Sequence, residues 1–304
     1  MNPPALTQSL AARLGHGPPL LLDGATGTEL ERRGQRCDLP LWSSHALLAH
    51  PDVVEEIHAE YARAGAEIIT ANSFRTQRRT LQRGEPEYPG LADRDEELTT
   101  LAVTLARSGA KRGGSSRWVA GSAPPLEDCY RPDLVPSDDA LQAEHARHAG
   151  NLARAGADLI LIESMNSIRE AVAACEAARR TELPFWVSFI TGGSGLLLSH
   201  EPLSEAIAAI RDYSPLGVGI NCVPPSAVKE DLGCLRQSGL AFGLHANLGE
   251  PGAGPWEARK EDCTPEDFAQ RATAWERLGA TWIGGCCGTT PAHTAALARA
   301  LGSH

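Results

Sequence analysis

Eight short apolar segments alternate with helical segments along this sequence, and this alternation restricts the fold more than any other feature. Strands are predicted at residues 20–23, 67–71, 118–120, 158–162, 185–190, 218–221, 241–245 and 281–284. Strands that alternate with helices form a parallel sheet, because each helix returns the chain to the start of the next strand. Eight such units in 304 residues predict an α/β fold, a (β/α)₈ TIM barrel that takes residues 1–304 as a single domain.

The segments between the strands have the spacing of amphipathic helices. Val54, Ile57 and Tyr61 fall on one face of a helix with 3.6 residues per turn. Further helices are predicted at about 95–107, 138–155, 168–180, 203–211, 226–237, 265–278 and 292–301.

Three helix-to-strand joints share one phrase: RAGAE at 63–67, RAGAD at 154–158 and RLGAT at 277–281. In each, a glycine follows the helix, where it suits a left-handed cap, and the next strand starts at once. A doubly wound open sheet is the alternative architecture. However, the DGATGTE phrase after the first strand lacks the third glycine of a nucleotide-binding fingerprint.

Composition excludes several kinds of partner. The net charge of −10 opposes a broad phosphate-binding surface, so no nucleic-acid partner is expected. The N-terminal segment has no apolar run long enough for a signal peptide or membrane span, which predicts a cytoplasmic protein without a membrane partner. A homo-oligomer is left open. The Gly-, Ser- and Pro-rich segments at 112–117 and 249–255 are predicted loops, the second a lid over the active-site face.

Three cysteines fall at predicted strand ends, where barrel enzymes carry their chemistry. Cys222 ends the sixth strand, and Cys286 and Cys287 end the eighth. Three thiolates on one face suit Zn²⁺, and three protein ligands with an open position are the catalytic pattern. A substrate thiol suits that open position. The alternative is that the adjacent cysteines are small buried residues in a glycine-rich turn.

Glycines flank the adjacent cysteines. Side chains alternate between the faces of a strand, so the eighth strand must end or bulge for Cys286 and Cys287 to face one ion. Gly284, Gly285 and Gly288 permit such a turn.

Five phrases, in this order, resemble the homocysteine S-methyltransferase family: LLDGATGTELERRG at 21–34, ITANSF at 69–74, IES at 162–164, GINC at 219–222 and GGCCGTTPAH at 284–293. The family includes S-methylmethionine- and betaine-dependent enzymes and the homocysteine-binding module of cobalamin-dependent methionine synthase. The resemblance implies a barrel with a zinc site formed by the three cysteines named above. We expect no corrinoid or folate module after this barrel.

The resemblance also implies how the amino-acid substrate is held. Asp23 and Glu163 are expected to bind its ammonium group, and two carboxylates near one site suit that task. The backbone N–H groups of Gly24 and Ala25 can take its carboxylate. A turn-forming Asp-Gly and a helix N-terminal charge are the alternative interpretations of Asp23 and Glu163.

Two asparagines complete the expected site. Asn247, in ANLGE, resembles the family's PN-x-G element and would occupy the open zinc position before substrate arrives; Asn72 is a candidate for the donor side. The segments GSAPPLEDCYRPD and HANLGE depart from the family pattern. Both lie near the expected donor position, so the methyl donor stays open.

These features predict a zinc-dependent enzyme that transfers a methyl group to the thiolate of homocysteine and yields methionine. A sulfonium donor such as S-methylmethionine is favoured. Betaine is disfavoured because aromatic residues make up only 5% of the chain, too few for a rich cation–π cage. Alternatives are the same barrel with betaine, methylfolate or a corrinoid partner, or a non-catalytic zinc- or thiol-binding protein. A metal-free aldolase would need a strand-end lysine, which the sequence lacks.

The other metal-binding residue types show no ligand spacing. Six histidines are predicted to lie mostly at the surface: His45, His50, His58, His145, His148 and His293. Cys175, in an alanine-rich helix, is predicted to pack in the core. Cys129 follows the third strand and is not assigned to the site.

Overall fold

The computed structural model of the chain describes residues 3–114, 118–193, 195–248 and 263–302. Within these ranges, eight parallel strands pair in the order β1-β8-β7-β6-β5-β4-β3-β2. The predicted (β/α)₈ barrel is therefore confirmed. The strands are β1 Leu20–Leu21, β2 Ile68–Ala71, β3 Trp118–Ala123, β4 Leu159–Met165, β5 Phe185–Phe189, β6 Gly217–Asn221, β7 Phe242–Ala246 and β8 Trp282–Gly285.

The barrel closes between the first and second strands through a short join. β1 has two residues, and Leu22, just beyond it, forms a parallel bridge with Ile68. The Asp23 amide donates to the Ile68 carbonyl (3.1 Å), and the Glu67 amide donates to the Leu21 carbonyl (2.7 Å). This closure brings the end of β1 next to the end of β2, which matters for the site below.

The helices surround the barrel, and every predicted helix is present. Four additional helices, α1, α2, α3 and α5, are found in segments where none was predicted. The helices are α1 Pro3–Leu14, α2 Gly27–Arg32, α3 Ser44–Ala49, α4 Pro51–Arg63, α5 Arg78–Arg83, α6 Asp95–Gly113, α7 Asp138–Arg154, α8 Ile168–Arg179, α9 Leu203–Ile210, α10 Val228–Gln237, α11 Pro265–Arg277 and α12 Pro291–Leu301.

The three predicted glycine caps are confirmed. Gly65, Gly156 and Gly279 have φ of +107°, +82° and +101°, two residues after α4, α7 and α11 end. A residue with a Cβ is strained in this left-handed region, so glycine ends each helix at low cost. The following strands, β2, β4 and β8, begin three residues later.

The barrel interior is packed with side chains around two tryptophans. The Trp186 and Trp282 rings stack with centroids 4.7 Å apart. Glycines on the neighbouring strands leave room for this pair, because a Cβ at Gly243 would lie 2.2 Å from the Trp282 ring. Leu10 of α1 belongs to the same cluster and is 1% exposed. The unpredicted first helix thus contributes to the interior.

Most of the histidines predicted at the surface are buried, which corrects that prediction. His45, His58, His145, His148 and His293 are all under 9% exposed, whereas His50 is exposed. Each helix packs one face against the strands or a neighbouring helix. A histidine on that face is buried even though its side chain is polar. The prediction for Cys175 is confirmed, since that residue is fully buried in α8.

Two strands run three residues further than predicted, and this changes where site residues lie. β3 includes Ser122, and β4 includes Glu163 and Ser164, with a register shift between Ile162 and Met165. The helix α6 continues to Gly113, so the predicted loop at 112–117 begins later than expected. The predicted lid at 249–255 lies outside the described residues. Among the described residues, no helix has the length and apolarity to span a membrane.

Candidate metal centre

The three strand-end cysteines meet at one point. Their sulfur atoms all lie within 4.8 Å of one another, and Cys222 Sγ lies 2.8 Å from Cys286 Sγ. All three are free thiols, since a disulfide would bring the sulfur atoms to about 2.05 Å. The cluster of Cys222, Cys286 and Cys287 is compact enough to hold one metal ion, for which a zinc–sulfur bond is about 2.3 Å.

The backbone departs from strand geometry where the cysteines turn inward. Cys222 has φ of +55°, a left-handed conformation that non-glycine residues seldom adopt. β8 ends at Gly285, as the adjacent cysteines required. The Cys286 amide donates to the Ala246 carbonyl (2.8 Å), and the Cys287 carbonyl accepts from the Leu248 amide (2.8 Å). The turn after β8 is thus held against the end of β7.

Thr289 and Tyr61 fix this turn from the other side. Thr289 Oγ1 donates to the Cys286 carbonyl (2.7 Å). The Tyr61 hydroxyl lies 3.0 Å from the Ala25 carbonyl and 3.2 Å from the Thr289 carbonyl, so it joins the turns after β1 and β8. Neither role was predicted from the sequence, because Tyr61 fits the apolar face of a helix and Thr289 has the position of a residue preceding the cap of α12.

The thiols interact strongly with one another. Hydrogen bonds from Cys286 and Cys287 lower the pKa of Cys222 well below its usual value. The same bonds to Cys222 raise the pKa of Cys286 and of Cys287. In the absence of a cation, one ionised thiol therefore keeps protons on the other two. A soft divalent cation would allow all three to ionise, so the donor set fits such an ion.

Two buried carboxylates border the same cavity. Asp23 accepts hydrogen bonds from the Thr70 amide (2.7 Å) and hydroxyl (2.9 Å), and burial raises its pKa to about 7. Glu163 accepts a hydrogen bond from the Ser122 hydroxyl, and burial raises its pKa to about 8. The charges of Cys222 and Asp23 raise the pKa of Glu163 further. Such a pair suits a cationic ligand group.

Asn221 connects this carboxylate region to the thiols. Its Oδ1 accepts from the Ser164 amide (2.8 Å), and its Nδ2 donates to the Ser164 hydroxyl (2.7 Å). The same Nδ2 lies 3.5 Å from both Glu163 Oε2 and Cys222 Sγ. Asn221 was not predicted as a site residue from the sequence, although its place beside Cys222 at a strand end was a usable signal.

The remaining predicted residues lie in different positions. Gly24, Ala25 and Asn72 border the cavity. The Ala25 amide donates to Thr289 Oγ1 (3.3 Å), and Asn72 Nδ2 donates to the Ser43 carbonyl (3.0 Å). The Asn247 side chain is fully buried, has no hydrogen-bond partner among the described residues and is not part of the cavity lining.

The cavity itself measures about 410 Å³ and opens among the strand ends. Trp42, Phe74 and Tyr130 border it, and the Trp42 and Phe74 rings meet edge to face at 5.8 Å. The chain has few aromatic residues, and folding brings three of them to the border of this cavity. The buried side chains of Arg75 and Cys129, which were not assigned from the sequence, also border this space.

His245 is a further buried polar residue beside the centre. It borders the cavity, and its Nε2 lies 2.8 Å from the Ser188 hydroxyl. Burial lowers the pKa of His245 to about 4, so the ring is neutral at pH 7.

Comparison with known proteins points to one family. A sequence model described as homocysteine S-methyltransferase matches residues 20–301. The homocysteine S-methyltransferase of Escherichia coli is 34% identical over 298 residues, which cover 91% of this chain and 94% of that protein. Homocysteine S-methyltransferase 1 of Zea mays is 28% identical, covering 97% of each chain. The crystal structure of the metallated E. coli homocysteine methyltransferase MmuM has a TM-score of 0.79 and 31% identity, covering 95% of this chain and 98% of that one.

Proposed function

Because this chain belongs to the homocysteine S-methyltransferase family, we propose that it transfers a methyl group from a small activated donor to the sulfur of homocysteine, yielding methionine. The observation that carries this function is the meeting of three cysteine sulfurs beside a cavity bordered by two buried carboxylates. A thiol-bearing amino acid has the two groups that such a cavity would recognise.

The cysteine cluster can hold a metal ion, and we propose that the ion is Zn²⁺, held by Cys222, Cys286 and Cys287. Three thiolate ligands favour a soft or borderline cation, and their number leaves a position for a substrate. When bound, zinc lowers the pKa of a coordinated thiol, so that homocysteine can react as a thiolate at neutral pH. The Asn247 side chain is buried without a hydrogen-bond partner among the described residues. We propose that it occupies the open position on zinc before the substrate binds.

The protein residues orient the acceptor. Asp23 and Glu163 are proposed to bind the homocysteine ammonium, and the Gly24 and Ala25 amides its carboxylate. The raised pKa values of both carboxyl groups support this assignment, because an ammonium group would favour their ionised forms. Asn72 is proposed to contact the donor side of the cavity, which it borders.

The transfer is a single displacement. The homocysteine sulfur supplies the electron pair of the new S–CH₃ bond, and the donor's bond to the same methyl carbon breaks. The broken bond's electron pair stays with the leaving group, which for a sulfonium donor such as S-methylmethionine becomes a neutral thioether. We favour a sulfonium because the acidic cavity attracts its positive charge, which the transfer removes. A cytoplasmic location stays a prediction from the sequence.

Metal analysis combined with a donor panel tests this function. Purified protein should contain about one zinc per chain and form methionine from homocysteine with S-methylmethionine, but not with betaine or methyltetrahydrofolate. Cys222→Ala should lower zinc content and turnover together by at least about tenfold, because it removes a ligand. Cys234→Ser is the matched control, since Cys234 is half-buried in α10, away from the cluster, and should leave both unchanged.

The alternatives give different results in the same assay. If methionine forms with betaine or methyltetrahydrofolate instead, homocysteine stays the proposed acceptor and the proposed donor is wrong. Zinc and homocysteine binding without methionine from any donor would contradict methyl transfer and leave a thiol-binding protein. Full zinc content and turnover in Cys222→Ala would contradict the metal site.

A further inference from the structure

Arg75 is a buried charge without a described partner at the edge of the candidate site. It lies between β2 and α5, is 9% exposed and borders the cavity. Its Nε has no hydrogen-bond partner and its guanidinium no ion pair among the residues that the structure describes, although the charges of Asp128 and Glu127 act on it from a distance. Arginine stays charged at neutral pH even when buried, and an unpaired buried charge is strongly unfavourable.

The three arginines that follow Arg75 in the chain all form ion pairs, unlike Arg75 itself. Arg78 pairs with Asp93, Arg79 with Glu144, and Arg83 with Glu127. All three lie on α5, a short way along the chain from Arg75. The described ion pairs of this segment therefore satisfy each nearby guanidinium except the one that borders the cavity. A charge left in this position is suited to an anionic ligand.

The surroundings of Arg75 indicate what kind of ligand the cavity takes. The guanidinium lies 5.3 Å from the centroid of the Phe74 ring, and Phe74, Trp42 and Tyr130 all border the cavity. Aromatic faces attract onium groups, and the guanidinium fork matches a carboxylate in geometry. Arg75 is the only arginine or lysine among the described residues that line the cavity, so it can balance one negative charge but not a polyanion such as phosphate. The lining as a whole thus suits a donor that carries an onium centre and a carboxylate, as S-methylmethionine does.

Arg75 follows a different strand from every proposed acceptor residue. The homocysteine groups are proposed to bind at Asp23, Gly24 and the adjacent cysteines, after β1 and β8, and at Glu163 in β4. Arg75 and Tyr130 follow β2 and β3 instead. Resting on the proposed function, we propose that Arg75 binds the carboxylate of the methyl donor and so selects onium donors that carry a carboxylate.

Two donors that differ only in this group test the proposal: S-methylmethionine and its decarboxylated analogue, (3-aminopropyl)dimethylsulfonium. Arg75→Met should raise the KM for S-methylmethionine roughly 10- to 100-fold, the range expected for losing a charge-assisted bidentate contact. The KM for the analogue and the KM for homocysteine should change less than about twofold. Arg75→Lys should fall between wild type and Arg75→Met, because lysine keeps the charge but lacks the fork.

Two further readouts separate this role from a structural one. Calorimetric titration with S-methylmethionine should show the same loss of affinity in Arg75→Met. The melting temperature of Arg75→Met should be unchanged or higher, because an unpaired buried charge has been removed. Arg78→Gln is the matched control, since Arg78 is exposed and should leave the KM for either donor unchanged.

Each contrary result has a definite meaning. A raised KM for homocysteine alone would assign Arg75 to the acceptor and overturn the proposal. An equal loss with both donors, or a lower melting temperature with lost turnover, would make Arg75 structural. Equal use of both donors by the wild type would also overturn it, while leaving methyl transfer intact. Only the absence of methionine from every donor would remove the proposed function itself.

Discussion

At the residue scale, the cysteine ligands depend on neighbours that bind no metal themselves. Asn221 contacts Ser164, Glu163 and Cys222 through a single amide group. Ser164 and Cys222 both have positive φ, +60° and +55°, so the backbone on each side of this amide is in an uncommon conformation. The Asn221 amide therefore fixes the position of the turn that carries Cys222 relative to the carboxylate of Glu163.

Replacing this amide should weaken the metal centre without removing a ligand. Asn221→Ala is expected to lower zinc affinity and kcat/KM by roughly 10- to 100-fold, the usual effect of losing an outer-shell partner. Competition with a chromogenic chelator measures the affinity, and circular dichroism checks the fold. Zinc retention equal to wild type would show that Asn221 does not position Cys222.

At the element scale, the turn after β8 depends on space that only glycine leaves. A Cβ at Gly285 would lie 2.2 Å from Thr289 Oγ1, and a Cβ at Gly24 would lie 2.6 Å from the same atom. Thr289 in turn binds the carbonyl of Cys286. The glycines before the cysteines therefore serve packing against Thr289 as well as the turn that the sequence predicted.

This arrangement gives a paired prediction for two glycines. Gly285→Ala should lower the free energy of unfolding by about 1–3 kcal/mol through overpacking, and should reduce zinc retention as Thr289 moves. Gly233→Ala should raise the free energy of unfolding by about 0.5–1 kcal/mol, because Gly233 lies in α10 and a Cβ added there would have nothing within 4 Å. Urea denaturation with metal analysis measures both, and equal effects would refute the packing argument.

At the scale of the whole molecule, buried histidines link stability to pH. His58 of α4 is fully buried, and neither ring nitrogen has a hydrogen-bond partner among the described residues. Burial lowers its pKa to about 4, against about 6.5 in an unfolded chain. Below pH 6.5 the His58 ring binds a proton in the unfolded state, whereas in the folded state it stays neutral down to about pH 4. Stability is therefore fully present above pH 6.5 and is lost as the pH falls toward 4.

The resulting stability loss should be measurable for one residue. Between pH 7.5 and pH 5, His58 should remove about 2 kcal/mol from the free energy of unfolding. His58→Leu should therefore lose about 2 kcal/mol less than wild type over this interval, as measured by urea denaturation at each pH. His50→Gln, at an exposed position, serves as control and should follow wild type. Identical pH profiles for all three proteins would contradict this assignment.

Much of the architecture could be predicted from the sequence because its causes are local. The glycine at each shared joint ends its helix through its own φ, and the 3.6-residue spacing sets the helices. The strand ends located Cys222, Cys286 and Cys287, since parallel strands place their carboxyl ends at one face. The short helices α2, α3 and α5 were missed, because six residues give too little periodicity to detect.

The sequence by itself determined the order of strands and helices, the capping glycines and the placing of three thiols at one end of the barrel, because each follows from spacing along the chain. Only the tertiary structure decided that Arg75 is buried without a described partner, that three aromatic residues share its cavity and that His58 is enclosed. Burial and pairing depend on which distant segments pack together, and side-chain identity at one position does not encode that.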